Sequence, residues 1–290
     1  MDWFRELIDA WIGSLLSDGI KGNLSGLFDG LNEEVAGVAG QVSLTPLQWN
    51  SDIFDMIQQL SETVILPIAG LVLAFIACTE LIQLITDKNS MHEIDTWIFF
   101  KWFFKTAIAV LLVTNTWNIV MGVFDVGQFV VNSASGVIIQ ETAMDISSVM
   151  DGIDDVLAEM SSGELLGLWF QTLVVQLAMV AIRIVVFIII VGRVIEIYLV
   201  TSIAPIPIAT MVNREWGQMG QNYLKSLLAL AFQGFLIMVC VAIYAVLIQG
   251  IALNPEDISM SIWWCLGYTA LLCFTLLKTS SMAKSIFNAH

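Results

Sequence analysis

Apolar runs of about 20 residues or more, the length that crosses a bilayer core as a helix, limit the folds open to this chain. Inside lipid the backbone must satisfy its own hydrogen bonds, so such runs form helices. The runs predict five membrane-spanning helices. They cover approximately Val64–Ile85, Ile98–Val120, 166–199, Tyr223–Ile251 and Ile262–Leu277.

Composition supports the same fold class. Apolar residues make up 58% of the 290 residues and charged residues only 13%, whereas soluble globular proteins contain about 25% charged residues. We therefore predict an all-α, polytopic membrane protein with about five transmembrane helices. We expect it in the cytoplasmic membrane of a bacterium, in contact with lipid along these helices.

The distribution of charge predicts the orientation of the helices. Twenty of the 26 acidic residues lie in residues 1–63, 121–164 and 251–260, whose only basic residues are Arg5 and Lys21. The other nine Lys and Arg lie at the opposite ends of the apolar runs. Because Lys and Arg in short loops stay in the cytoplasm, we predict an outer N-terminus and a cytoplasmic C-terminus. The net charge is then −18 outside and +3 inside.

The apolar run 165–211 allows two arrangements, since it is too long for one straight span and has no clear loop for two. A hairpin would place four basic residues on the outer side, against the orientation rule. They are Arg214, Lys225, Lys278 and Lys284. One long third helix avoids this conflict. Pro205 and Pro207 cannot continue it without losing hydrogen bonds, so we expect a re-entrant or interfacial piece there.

Residues 1–63 are predicted to form an acidic, extracytoplasmic N-terminal region. Apolar residues at helical spacing, among them Trp3, Phe4 and Trp11, form one face of a first helix. This face either anchors the helix flat in the membrane interface or packs against the protein itself or a neighbouring subunit. Glycines in residues 24–62 predict one or two short helices there, before a loop near Thr45.

Three further regions follow from the spans. Residues 64–120 hold the first two transmembrane helices with a cytoplasmic loop at 86–97, and residues 165–290 hold the long third helix, the proline-broken segment and the last two spans. Residues 121–164 are predicted to form an acidic outer loop with an amphipathic helix. Its apolar positions are Met144, Val149, Ile153, Val156, Leu157 and Met160.

Charged or broken positions within the apolar runs are candidates for a polar lining or for contacts between subunits, because such residues are costly in lipid. The set comprises Arg183, Arg193, Glu196, Pro205, Pro207 and Glu80. Arg193 and Glu196 lie three residues apart on one helix face and can pair. Each charged member also fits a purely structural role, as a boundary anchor with its counter-ion.

Basic residues on the predicted cytoplasmic side are candidates for docking partner proteins. Lys88 lies in the loop 86–97, Lys101 just beyond it, and Arg214 in the patch that follows the third span. These segments are the only sizeable surfaces that the predicted topology turns towards the cell interior.

No catalytic set is recognisable in the sequence. The two histidines, His92 and His290, lie in a loop and at the terminus, and no phosphate-binding glycine loop is present. The acidic run at 151–155 lacks the ligand spacing of an EF-hand. We predict a protein without enzymatic activity, cofactor or metal. Its net charge of −15 argues against binding nucleic acid through the bulk field.

Four segments carry a resemblance to a known family. They are Asn23–Asp29, Trp49–Phe54, His92–Trp102 and Thr114–Met121. Their text is similar to that of TrbL-like proteins of Gram-positive integrative conjugative elements. The chain as a whole likewise resembles the TrbL-type polytopic proteins of conjugative type IV secretion systems. The shared features are a polar N-terminal segment, five spans, an acidic outer region and a broken centre. That family has no catalytic motif to carry over.

The resemblance implies a channel or platform component of the cytoplasmic membrane, present as a ring of several copies. It would assemble with a cytoplasmic secretion ATPase and a coupling protein and transiently contact a DNA–protein substrate in transit. Two alternatives stay open: a transporter or small channel subunit, suggested by the proline break, and a non-conducting assembly scaffold. Secondary transporters usually carry a matched second break in an internal repeat, and we find none in the sequence.

Overall fold

The computed structural model describes residues 2–86, 96–142, 153, 156–213, 215–252 and 258–289, with side chains except at 2–10, 31, 96, 137–142 and 251–252. Every regular element within these residues is helical, which confirms the all-α prediction. The helices are α1 (Asp2–Val42), α2 (Pro46–Trp49), α3 (Ser51–Leu60), α4 (Leu66–Thr86), α5 (Thr96–Thr114), α6 (Thr116–Thr142), α7 (Ser162–Ser202), α8 (Pro205–Thr210), α9 (Gly217–Ala252) and α10 (Ile258–Ile286).

Five helices of the described residues are long and apolar enough to cross a membrane, as predicted. They are Ser51–Thr86, Trp97–Thr114, Ser162–Ser202, Gly217–Gly250 and Ile258–Ile286. Their exposed faces carry large apolar side chains such as Leu71 and Leu177, each 74% exposed. Such faces are stable when lipid or other apolar protein surface covers them.

The first helix corrects one prediction. Glycines predicted one or two short helices in residues 24–62, but α1 continues without a break to Val42. The predicted loop follows at residues 43–45. There the side chain of Thr45 caps α2, with Pro46 at its first position. The glycines do not end α1 because several of them face a neighbouring helix, as described below.

The first two spans differ from the prediction in their limits. The helix of the first span begins at Ser51 and passes through a π-helical turn at Ser61–Ile65, just before Pro67. This wider turn accompanies the proline, whose ring would clash with the carbonyl of the preceding turn. The second span is interrupted at Asn115. The side-chain amide of Asn115 donates to the carbonyl of Leu111 and so competes with the backbone amides for this helix acceptor.

The third span is one helix of 41 residues, as the charge argument predicted. Glu164 accepts hydrogen bonds from the backbone and hydroxyl of Ser161, a capping box that starts α7. α7 ends at Ser202, shortly before Pro205, where α8 begins.

The chain forms two compact units. Unit 1 comprises Met1–Val42, Val131–Ile190 and Phe235–Thr279. Its core combines Ile20, Leu24 and Leu27 of α1 with buried residues of α7, α9 and α10. Of the predicted outer-loop helix, Ile153 and Leu157 belong to this core and Val156 and Met160 pack against it. Met144 and Val149 lie outside the described residues.

Unit 2 comprises Ser43–Val130, Val191–Gly234 and Ser280–His290. The short helix α8 is buried almost throughout and packs against α4 and α5. A second cluster joins Phe54 and Trp117, whose rings meet edge to face at 5.2 Å. Tyr198 belongs to the same cluster, and its hydroxyl donates to the carbonyl of Pro46 at 2.6 Å. The first residue of α2 is thereby fixed to α7.

Candidate functional site

A glycine-rich face joins α1 to α7 in unit 1. A Cβ on Gly19 would lie 2.8 Å from the indole nitrogen of Trp169, and one on Gly26 would lie 3.5 Å from the Gln176 side chain. Between them, the amide of Asn23 donates to the hydroxyl of Thr172 at 3.0 Å. Contacts advance along both helices in the same direction, so the two helices run parallel. Small residues allow such close approach between helices.

Arg183, the deepest charge predicted in the third span, belongs to this face. Its guanidinium fills the space where a side chain at Gly30 would stand. Its Nε lies 3.9 Å from Oε2 of Glu34, a long ion pair without a hydrogen bond. Arg183 therefore has a counter-ion on α1. The absence of a side chain at Gly30 leaves the space that the Arg183 guanidinium occupies.

The carboxylate of Glu34 is buried, with 6% of its side chain exposed. Neither of its oxygens finds a hydrogen-bond partner among the described residues, nor do Nε of Arg183 and Oε1 of Gln41. Burial raises the pKa of Glu34 above its ordinary value, and the charge of Arg183 opposes that rise. Such buried polar atoms normally bond to protein or water, so this group calls for water or another polar species.

A cavity of about 250 Å³ adjoins the pair. Glu33, Glu34 and Gln41 line it from α1, whereas Arg183, Val186 and Phe187 line it from α7. One wall is thus polar and acidic and the other is largely apolar. The volume is ample for several water molecules, each of which occupies about 30 Å³ in the liquid.

Glu80, a second predicted site residue, links three segments of unit 2. It forms a salt bridge with Lys105 of α5, and its Oε1 accepts a 3.4 Å hydrogen bond from the amide of Asn213. Oδ1 of Asn213 in turn accepts from the backbone of Glu215 and Trp216. The first two spans and the turn before α9 are therefore joined through one half-buried carboxylate.

Arg193 and Glu196 find their partners on other helices rather than on each other. Arg193 is buried and donates from Nη2 to the backbone carbonyl of Leu230 in α9, at 3.3 Å. Glu196 accepts from Lys284 of α10 at 3.0 Å. The two residues thus tie α7 to α9 and α10 within unit 2.

The proline break is closed by hydrogen bonds from neighbouring elements. The amide of Ala204 bonds to Thr201, and Pro205 has no amide hydrogen to donate. The carbonyl of Val200 loses its regular helix donor and instead accepts from the hydroxyl of Tyr223, at 3.0 Å. Pro205 and Pro207 are both buried in protein, the setting in which irregular backbone is tolerated at membrane depth.

The predicted docking and anchoring residues are only partly described. Lys101 is exposed, and its ammonium lies 5.7 Å from the centre of the Trp97 ring. Lys88 and Arg214 lie outside the described residues, as do the side chains of Trp3 and Phe4. Trp11 is 64% exposed, while later apolar residues of α1 are buried in unit 1. From Leu16 onward, α1 therefore packs against its own protein.

Sequence reasoning missed Gly30 and Glu34. Gly19, Gly26 and Gly30, the glycines that meet α7, recur at spacings of seven and four residues. That pattern is a signal for a helix-packing face, although glycines also mark turns. Within the described residues no group of three or more His, Cys, Asp and Glu could hold a metal ion.

A family model described as TrbL/VirB6 plasmid conjugal transfer like protein matches residues 31–205, more than half of the chain. The matched part includes Glu34, Glu80, Arg183 and the start of the proline break. No curated protein matches the chain, and no solved structure matches it.

Proposed function

Because the chain belongs to the TrbL/VirB6 family of plasmid conjugal transfer-like proteins, we propose that it is a channel or platform subunit of a conjugative type IV secretion system. Family membership and five long apolar helices make it a multi-pass membrane component of such a system. In the proposed role, several copies form a ring in the cytoplasmic membrane and help a DNA–protein substrate to cross it. The role requires no catalytic activity, cofactor or metal.

The observation that best supports a conduit is the polar face inside unit 1, by which we mean Glu33, Glu34 and Gln41 of α1 together with Arg183 of α7. Arg183 lies in a strongly apolar helix, yet it meets Glu34 of α1 and a cavity whose α1 wall carries Glu33, Glu34 and Gln41. Charged residues within spans usually face a bundle interior or a water-filled cavity. A protein that only anchors others in lipid has no need of such a face.

We further propose the orientation that the charges predict, with the N-terminus outside and the C-terminus in the cytoplasm. The loop 86–97 and the segment around residue 214 then face the secretion ATPase and the coupling protein. Lys101 is the member of this docking set that the structure describes. Its ammonium is exposed beside the Trp97 ring, where acidic groups of a partner could reach it. The charge-reversal variant Lys101→Glu should weaken co-purification of these ATPases while membrane insertion stays unchanged.

A transporter or small channel subunit is the second candidate. Two helix irregularities in unit 2 favour it, the π-helical turn at Ser61–Ile65 and the break before Pro205. Such a protein would move small solutes by itself in proteoliposomes. The secretion subunit should leave those vesicles no leakier than empty ones unless its partner proteins are present.

Deletion and complementation test the proposed function. An in-frame deletion in a donor strain should abolish DNA transfer to recipients, and the wild-type gene supplied in trans should restore it. Gly22→Ala is a suitable control, because a Cβ there meets nothing within 4 Å. Undiminished transfer from the deletion strain would remove the protein from the transfer apparatus.

A further inference from the structure

The cavity between α1 and α7 contains hydrogen-bond acceptors that no group of the described residues uses. They are both carboxylate oxygens of Glu34 and Oε1 of Gln41, and both residues line the cavity. Only 6% of the Glu34 side chain is exposed. Because buried carboxylate and amide oxygens normally accept hydrogen bonds, the cavity requires an occupant that donates several of them.

Arg183 does not supply these donors. Its Nε lies 3.9 Å from Oε2 of Glu34, too far for a hydrogen bond. Glu33 adds a second carboxylate to the lining, so the ionised side chains around the cavity carry two negative charges and one positive charge. The excess of negative charge favours a cationic occupant.

The lining suits an ammonium group better than a metal ion. No group of three or more His, Cys, Asp and Glu in the part of the chain that the structure describes could hold a metal ion. Arg183 also places a positive charge beside Glu34. A primary ammonium group has three N–H donors, which matches the three acceptor oxygens that lack donors.

Apolar side chains complete the lining. Val38, Val186 and Ile190 are buried there, and Phe187 is 56% exposed. The volume of about 250 Å³ equals that of about eight water molecules in the liquid, so an ammonium group and a short alkyl chain fit together. An alkyl chain would remove the apolar wall from water, which water alone cannot do. Gly37 of the lining is exposed like Phe187, so an occupant can enter from the surface.

We propose that this cavity binds a small primary alkylamine in its ammonium form. The ammonium group donates to Glu34 and Gln41, and the alkyl chain packs against Val186, Phe187 and Ile190. The bound amine then joins α1 to α7 within unit 1. This binding goes beyond the proposed function and does not rest on it, since the cavity holds the amine whether or not the protein forms a conduit.

Titration of the full-length protein with n-butylammonium chloride in mild detergent tests the site. Calorimetry measures the binding, and the unfolding temperature should rise with the amine concentration because the amine binds the native state. Sodium chloride keeps the ionic strength constant. n-Butanol and butyltrimethylammonium are the matched control compounds, because the first has no charge and the second has no N–H donor.

The expected result is saturable binding of n-butylammonium that is at least about tenfold tighter than that of butyltrimethylammonium, since hydrogen bonds to charged groups are the stronger ones. n-Butanol should not bind. Equal affinity for the two cations would overturn the proposal, because the attraction would then be to acidic side chains in general. Absence of saturable n-butylammonium binding would also overturn it, and the cavity would then hold water alone.

Two variants locate the binding at the cavity. Glu34→Gln keeps the size of the side chain but removes its charge, and it should weaken n-butylammonium binding at least about tenfold. Gly37→Leu leaves the ion pair intact and should abolish binding, because its side chain extends from the lining into open space.

The matched control variants lie on the same helix outside the lining. Gly22→Leu adds the same side chain at a position where a Cβ also meets nothing within 4 Å. Asp29→Asn removes one acidic charge away from the cavity. Both controls should bind n-butylammonium like the unmodified protein. Unchanged binding in Glu34→Gln and Gly37→Leu, or equal losses in the cavity variants and the controls, would contradict the proposed site.

Discussion

The guanidinium of Arg183 lies directly against the backbone of Gly30, in the volume that any larger residue at position 30 would occupy. This contact places the only charge of the apolar stretch 173–190 beside Glu34 on α1. Position 30 holds glycine for a steric reason. With any larger residue there, α1 could not approach α7 this closely without displacing the Arg183 guanidinium. The contact therefore links helix packing to the polar face.

Gly30→Ala should destabilise the protein. The added Cβ overlaps the guanidinium at the end of the flexible Arg183 side chain, which must move away from Glu34. Because this side chain is one-third exposed and adjoins a cavity, the cost should lie at the low end of overpacking, at most about 1 kcal/mol. The measurement is thermal unfolding in a mild detergent, followed by helix content. Gly22→Ala on the same helix is the matched control. With nothing within 4 Å of its Cβ, it should be neutral or stabilising by up to about 1 kcal/mol.

The double variant Gly30→Ala with Arg183→Ala separates overlap from a general effect on α1. If the overlap is the cause, the two substitutions together should cost less than the sum of their separate effects. Strict additivity would mean that the contact between Gly30 and Arg183 is not what Gly30→Ala disturbs.

Tyr223→Phe should weaken the proline break. The hydroxyl of Tyr223 supplies the carbonyl of Val200 with the hydrogen bond that the regular helix no longer provides. Loss of such a bond costs about 1 kcal/mol, which should appear as a lower unfolding temperature. Tyr268→Phe is the control, because no hydrogen bond to its hydroxyl is found in the described part of the chain. Equal effects of the two variants would contradict the closing role of Tyr223.

The bridge between Glu80 and Lys105 gives a charge-swap prediction. Breaking a buried pair costs about 3–5 kcal/mol, but the Lys105 side chain is 41% exposed. Solvent screening reduces the expected loss for Glu80→Gln or Lys105→Met to about 1–2 kcal/mol. The exchanged pair Glu80→Lys with Lys105→Glu should recover part of it. If the exchanged pair is no more stable than either single change, the pairing does not stabilise unit 2.

Gly127→Ala should loosen the contact of α6 with α9. A Cβ at Gly127 would lie 2.8 Å from the backbone oxygen of Ala231, which no side-chain rotation can relieve. Gly122→Ala, five residues earlier on the same helix, meets nothing within 4 Å and is the matched control. A lower unfolding temperature for the first variant alone is expected. Equal unfolding temperatures of the two variants would mean that α6 and α9 can move apart at Gly127 without loss of stability.

Local signals predicted the spans well. The five spans, the single long α7 and the break at Pro205 follow from hydropathy, loop charges and proline chemistry, all of which act within a few residues. The π-helical turn at Ser61–Ile65 was not predicted, because its cause is the fit of one helix around Pro67. The length of α1 was predicted wrongly, because glycine ends helices in water yet allows close packing between them.

Only one partner of the ion pair in the polar face of unit 1 could be predicted from the sequence. Arg183 was recognisable as a charge inside an apolar run, but its partner Glu34 lies about 150 residues away on a helix with many other acids. Nothing in a single sequence ranks one of those acids above another. Arg193 and Glu196 show the same limit, since their spacing allows a pair while tertiary packing gives each a different partner.

The mass of the protein extracted in its native state tests the multi-copy conduit most directly. The full-length chain would be extracted in mild detergent and in lipid nanodiscs, and its mass compared with that of chemically cross-linked protein from intact cells. A single discrete multiple of 32.0 kDa, the same in all three preparations, is the predicted result. A mass of one chain in every preparation would contradict the account.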